Sequence, residues 1–143
     1  MTDKPVLVDT SAWLLALRKE FIVQIRNRID YLIKENLILT TGIIRMELLS
    51  GTKNEVEYMR LKKRLSAFRS IKTDESTWEK TCEVGFHLRR KGVTVPYTDI
   101  LIATCALVEE CVVLHVDNHF DLMSEHLDLK TESYVSEIRE KII

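Results

Sequence analysis

Four acids stand out by the company they keep. Asp9 closes the apolar run of VLVDTSAW and is followed at once by the hydroxyls of Thr10 and Ser11. Glu47 sits within IIRMELLSG, Asp99 within PYTDILIA and Asp117 within VVLHVDNH. Each has a structural explanation when taken singly. Asp9 and Asp117 suit helix N-caps or turns, Asp99 suits a first helical turn, and Glu47 suits a solvated helix face. Taken together they offer chemistry. Carboxylates repel by about 4 kcal/mol per pair at 4 Å and an effective dielectric of 20, so a fold that gathers them needs a cation. No lysine adjoins Asp9, Asp99 or Asp117, and Arg45, two positions from Glu47 on a helix, faces elsewhere. Hard divalent ions, Mg²⁺ or Mn²⁺, take oxygen ligands and bring phosphate chemistry with them.

The elements that must bring these acids together are readable from hydrophobic periodicity. Short β-branched or apolar runs predict strands over Val6 to Asp9, Leu37 to Thr41, Phe68 to Thr73 and Cys111 to Val116, with a weaker fifth around Leu127 to Thr131. Thr10 or Ser11 is placed to cap a helix through WLLAL. Phe21, Ile25, Ile29, Leu32 and Ile33 make the stripe of a second helix ending near Asn36. Further helices are expected from Thr41 to Gly51, Glu55 to Leu65, Glu75 to Lys91 with Gly92 as the stop, and Thr98 to Glu110 after Pro96. At the end of the chain, Val135, Ile138 and Ile142 fall at near-helical spacing.

Strands alternating with helices predict an α/β fold whose central, mainly parallel sheet of four to five strands is covered on both faces. In such sheets ligands bind beyond the carboxyl ends of the strands, near the reversal of strand order. Asp9 and Asp117 follow two strands that would meet there if they are central neighbours, and Glu47 and Asp99 would reach the crevice from their helices.

The 143 residues are expected to form a single domain, 1–143, without linker or repeat. Apolar residues make up 45% and charged residues 30%, with four Gly and two Pro, a balance that favours folding throughout and excludes low complexity. The longest apolar stretch, Ile100 to Val108, is about half a membrane span, and the N-terminus lacks the pattern of a secretory signal, so a cytoplasmic protein with no membrane partner is expected. Cys82, Cys105 and Cys111 form no CxxC and read as reduced core residues. The formal net charge of −1 gives no global pull on nucleic acid. Any such partner must meet a local patch, for which the candidates are Arg60, Lys62, Lys63 and Arg64 in RLKKRL and Arg89, Arg90 and Lys91 in LRRKG. The apolar run around Trp13 places it in the core.

VLVDTSAW, IIRMELLSG, PYTDILIATCAL and LHVDNHFDLM resemble, in order and spacing, the motifs of PIN-domain ribonucleases, most closely the VapC-type toxins of toxin-antitoxin pairs. The likeness runs from about Val6 to about Met123. It implies a PIN-like α/β/α sandwich, endonuclease activity on RNA dependent on Mg²⁺ or Mn²⁺, homodimerisation, and inhibition by a VapB-like antitoxin. Matched by motif, Asp9, Glu47, Asp99 and Asp117 take the places of the family's catalytic and metal-binding acids, and Thr10 and Ser11 those of its supporting hydroxyls. Asp9, Asp99 and Asp117 are then direct or water-mediated ligands, and Glu47 is a ligand or the base. Where many members carry a further acid near the fourth motif, this chain has Asn118 and His119, with Asp121 after Phe120. Asp121 reads as a first-turn helix acid, with a supporting metal role as the alternative.

Three other readings compete. HVDNH sets His115, Asp117 and His119 at alternating positions, one face of a strand, as in a His/Asp metal hydrolase. VLVDTS also starts like a haloacid-dehalogenase phosphatase, but Ser11 stands where that chemistry needs a second Asp. A PIN-like module that only binds RNA or protein is the third, and the retention of all four acids speaks against it.

Overall fold

The computed structural model describes residues 4–17 and 22–142. Five short strands make one sheet, with β1 (Val6–Val8) at its centre. On one side lie β2 (Ile38–Thr41) and then β3 (Arg69–Ile71); on the other lie β4 (Val112–His115) and then β5 (Thr131–Ser133). Every pairing is parallel, and Leu7 stands opposite Leu39 on one flank and Val113 on the other. All residues of β1 and β2 are buried, which requires cover on both faces and explains why these strands read as continuous apolar runs. The expected α/β class and the parallel five-strand sheet are both present.

Helices supply that cover. α1 (Thr10–Ala16) and α2 (Val23–Lys34) follow β1, and α3 (Gly42–Ser50) and α4 (Glu55–Leu65) follow β2. α5 (Glu75–Arg90) and α6 (Tyr97–Glu109) carry the chain from β3 back across to β4; α7 (Asn118–Ser124) leads to β5, and α8 (Val135–Ile142) ends the described chain. α2 buries Ile25, Ile29 and Leu32, the one-sided stripe of a surface helix. α6 differs: from Asp99 to Ala106 every residue is buried, so it runs through the interior. Trp13 joins the core as expected, its ring stacked on Phe68 with centroids 5.5 Å apart.

Strand order reverses between β1 and β4, because the chain leaves β1 toward β2 and returns to β4 on the opposite flank. That makes the carboxyl ends of β1 and β4 the expected ligand crevice.

Several expectations are corrected. The helix after β1 is capped by Asp9 itself, whose side chain accepts the N–H of Ser11; neither Thr10 nor Ser11 is the cap. The fifth strand begins at Thr131, four residues later than expected, since the apolar Leu127 and Leu129 are spent packing on the core as the chain enters the sheet. β4 ends at His115 and α7 starts at Asn118, so the strand alternation proposed for His115, Asp117 and His119 does not exist. Cys82 is exposed, while Cys105 and Cys111 are buried as expected. Phe21 of the expected second stripe and the side chain of Ile142 lie outside the described residues. No helix among the described residues is long and apolar enough to cross a membrane.

Candidate functional site

The first acid is fixed by the turn that follows β1. The Asp9 backbone N–H continues the sheet ladder to the carbonyl of Leu114, and its side chain turns back to cap α1. Asp9 Oδ2 accepts the Ser11 N–H at 3.0 Å and the Ser11 hydroxyl at 2.6 Å. The same hydroxyl accepts the Val116 N–H at 3.1 Å, tying the end of β4 to the end of β1. Asp9 is only 3% exposed, and burial first, then the charges of Asp99 and Glu47, push its carboxyl up to about 6 against the offsetting Ser11 bonds.

Glu47 arrives from α3. Thr10, the first residue of α1, donates its hydroxyl to Glu47 Oε1 at 2.9 Å, so the DTS segment steadies two acids at once. Asp99 arrives from the first turn of α6, where the interior course of that helix leaves it 8% exposed. Burial raises its carboxyl above the ordinary value, the charges of Asp117 and Glu47 add to the rise, and a hydrogen bond from His119 opposes it.

Asp117 caps α7 by accepting the His119 N–H at 2.9 Å. That cap brings the His119 ring between two acids: Nδ1 lies 2.8 Å from Asp99 Oδ2 and 3.2 Å from Asp117 Oδ1. One ligand atom from each of Asp99, Asp117 and His119 lies within 4.8 Å of the others. Asp9 and Glu47 stand outside this tight group yet within electrostatic reach of it. Among the described residues, the basic side chain that contacts Asp99 and Asp117 is thus a histidine and not a lysine. In the sequence, His119 is signalled by the HVDNH spacing, but as one face of a strand; its contact with the acids comes instead from its place two residues after a helix-capping acid.

Asp121 and His115 form a separate pair beside the site. His115 is fully buried, its Nδ1 accepts the Asp117 N–H at 3.2 Å, and its Nε2 faces Asp121 Oδ1 at 3.5 Å with no closer partner among the described residues. Burial holds His115 below its ordinary pKa, and the Asp121 charge opposes this. Asp121 occupies the first turn of α7 and is directed to His115, not to the tight group.

The basic runs separate as well. Arg89 donates to the Tyr97 hydroxyl at 3.1 Å, which links the LRRKG run to the α6 turn that carries Asp99. Lys62 of the RLKKRL run packs over Tyr58 on its own helix, and Arg64 borders an apolar groove of about 410 Å³ with Trp13, Leu17, Ile33, Leu61 and Phe68.

The donor set fits a hard divalent cation. Neighbouring carboxylates add to the raised proton affinity of Asp9 and Asp99, and hard carboxylate oxygen is what Mg²⁺ and Mn²⁺ prefer. Among known proteins, a family model described as a PIN domain matches residues 6–125. No curated protein matches the chain significantly. Among solved structures, VapBC2 from Rickettsia felis, bound to a promoter DNA fragment, has a TM-score of 0.74 at 22% identity, covering 90% of this chain and 98% of that one. DNA-bound VapBC from Salmonella typhimurium has a TM-score of 0.74 at 20% identity, covering 92% and 98%. VapBC-5 from Mycobacterium tuberculosis, a member of the VapBC family of toxin-antitoxin systems, has a TM-score of 0.62 at 16% identity, covering 92% and 98%. At these identities the likeness is one of fold.

Proposed function

Because this chain belongs to the PIN-domain family, we propose that it is a metal-dependent endoribonuclease of the VapC toxin type, restrained by a VapB-like antitoxin. One observation carries the nuclease reading: Asp9, Glu47, Asp99 and Asp117 behave as a single electrostatic cluster at the reversal of strand order. Asp9 feels the charges of Asp99 and Glu47, and Asp99 those of Asp117 and Glu47. A cluster of that sign repels phosphate until a cation neutralises it.

Asp99 and Asp117 are the principal holders of Mg²⁺ or Mn²⁺, with Asp9 and Glu47 completing the oxygen set directly or through water. When bound, such an ion supplies Lewis-acid charge for phosphoryl transfer, acidifying water and neutralising phosphoryl oxygen. The protein residues do the rest. Ser11 pins Asp9 to the sheet, and Thr10 engages one oxygen of Glu47, leaving the other to take the proton of the attacking water. Attack in line on phosphorus breaks the bond to the leaving ribose oxygen, which gains a proton from solvent. Arg89, beside the acid-bearing turn of α6, holds flanking phosphate.

The toxin reading rests on the VapBC complexes that share the fold. An antitoxin segment that folds on binding would find apolar surface in the groove bordered by Trp13 and Leu17, and a basic residue on it would satisfy the acids. We include homodimerisation and a cytoplasmic location in this proposal.

The direct test is cleavage of a pool of structured cellular RNAs by purified protein with Mg²⁺, Mn²⁺ or EDTA, beside Asp9→Asn. Metal-dependent cuts absent from the variant are expected. Cuts that persist in EDTA, or equally in Asp9→Asn, would remove the acids from the mechanism; a folded, antitoxin-free sample that cuts nothing would leave an RNA- or protein-binding module as the better reading.

A further inference from the structure

Resting on the metal-dependent reading above, we infer that His119 is itself a metal ligand, so that the centre is a mixed carboxylate and imidazole site selective for Mn²⁺ over Mg²⁺. Nδ1 of His119 is 2.8 Å from Asp99 Oδ2 and 3.2 Å from Asp117 Oδ1. An octahedral ion with ligands at about 2.1 Å places adjacent ligand atoms about 3.0 Å apart. The two contacts from His119 Nδ1 to the carboxylate oxygens therefore already stand near the edge length of such a coordination shell, and the third pair of ligand atoms lies within 4.8 Å. Exchange of the shared proton for an ion asks for little movement of the side chains.

The backbone keeps the nitrogen there. Asp117 accepts the His119 N–H at 2.9 Å, so the acid that would bind the ion also caps the helix bearing the imidazole, and the two ligands move as one unit. The His119 side chain is 40% exposed, so an ion can reach it from solvent.

His115 shows the contrast. It also lies two residues from Asp117, but its Nδ1 is occupied by the Asp117 N–H and its Nε2 faces Asp121, so it has no lone pair for the acids. Of these two histidines only His119 presents nitrogen to the cluster.

Nitrogen in the shell changes the preferred ion. Mg²⁺ favours oxygen and its own waters, whereas imidazole is an ordinary ligand for first-row transition ions. Replacing one oxygen position by nitrogen therefore shifts selectivity toward Mn²⁺.

The experiment uses the whole protein titrated with Mn²⁺ and electron spin-echo spectroscopy, which reads nitrogen bonded to the ion without reference to catalysis. Protein with natural-abundance nitrogen should show ¹⁴N modulation, and protein carrying ¹⁵N-histidine should show the ¹⁵N pattern instead. His119→Gln should bind Mn²⁺ more weakly, on the order of tenfold, lose the modulation, and show a smaller ratio of Mn²⁺ to Mg²⁺ affinity. Bound Mn²⁺ without nitrogen modulation, or modulation unchanged in His119→Gln, would overturn the inference while leaving an all-oxygen nuclease centre intact. Failure of the unmutated protein to bind Mn²⁺ or Mg²⁺ at all would overturn both this inference and the metal-dependent function. The ¹⁵N-histidine comparison needs no substitution, so a nitrogen signal that does not respond to the label would overturn the inference even if His119→Gln folds poorly.

Discussion

The hydroxyl of Ser11 donates to Asp9 Oδ2 at 2.6 Å and accepts the backbone N–H of Val116 at 3.1 Å, so one atom joins the first acid to the end of the neighbouring strand. A side chain with the look of a helix cap in the sequence is a stitch across the strand-order reversal. Ser11→Ala should keep the fold, because the Ser11 N–H still reaches Asp9. It should cost about 2 kcal/mol by removing a hydrogen bond to a buried carboxylate and orphaning a backbone donor. Denaturant melts would measure this, and cleavage should fall alongside.

Thr10 and Glu47 give a second, separable prediction. Thr10→Val keeps the shape of the side chain and removes its donor, which frees Glu47 to leave its position on α3. We expect kcat to fall about ten- to a hundredfold, with KM for RNA little altered, since the variant loosens the positioning of Glu47 and leaves the phosphate-binding surface as it was. A change confined to KM would place Thr10 in substrate binding instead.

Asp99→Asn and Asp117→Asn should each lower cleavage at least about a hundredfold while leaving the fold in place, because in the proposed mechanism several kcal/mol of transition-state charge stabilisation depends on the ion they would hold. Circular dichroism and a thermal shift on adding Mn²⁺ separate the two effects. The variants should melt as single transitions and show a reduced response to metal.

Asp9 sets a pH dependence. In the native state its carboxyl titrates at about 6, raised chiefly by burial, against 3.8 in the unfolded chain. The native state therefore binds more protons than the unfolded chain between those values. Its contribution to stability is complete below pH 3.8 and is lost as the pH rises through 6, about 3 kcal/mol in all. Metal-free Asp9→Asn should lack this decline, so its stability relative to the parent should improve between about pH 4.5 and about pH 7.5. Metal competes with that proton, and the stabilisation given by Mn²⁺ to the parent should be larger at about pH 7.5 than at about pH 5.5. Urea titrations at these pH values, with and without Mn²⁺, test both signs.

Arg89 and the RLKKRL run should behave differently toward RNA. Arg89→Ala removes the cation tied to the α6 turn through Tyr97 and should weaken RNA binding at every sequence, lowering the salt slope by about 0.7 for each phosphate that is no longer neutralised. Lys63→Ala, on α4, should change neither. Binding of catalytically inactive Asp117→Asn to RNA at several salt concentrations gives the comparison.

The four acids, the two hydroxyls and the strand-helix alternation are legible in the sequence because each is a local signal. Short apolar runs, an acid at a strand end and a glycine after a helix are set by neighbours along the chain, as Gly92 at φ 77° after α5 confirms. The start of β5 is harder to read, because Leu127 and Leu129 carry a strand-like pattern while the ladder to Val113 begins only at Thr131. The helical setting of Cys82 points to the core, and only the orientation of α5 exposes it.

What the sequence determined by itself was the α/β class, the parallel sheet and the identity of the acids, for these follow from periodicity and residue type within short windows. Tertiary structure alone decided which atoms meet. The reversal of strand order set β1 beside β4, the interior course of α6 carried Asp99 inward, and the Asp117 cap turned His119 toward both acids. Those contacts span 20 to 105 residues of chain, as between Asp99 and His119 or Ser11 and Val116. No local pattern encodes a distance of that kind, because it is fixed by how whole elements pack against one another.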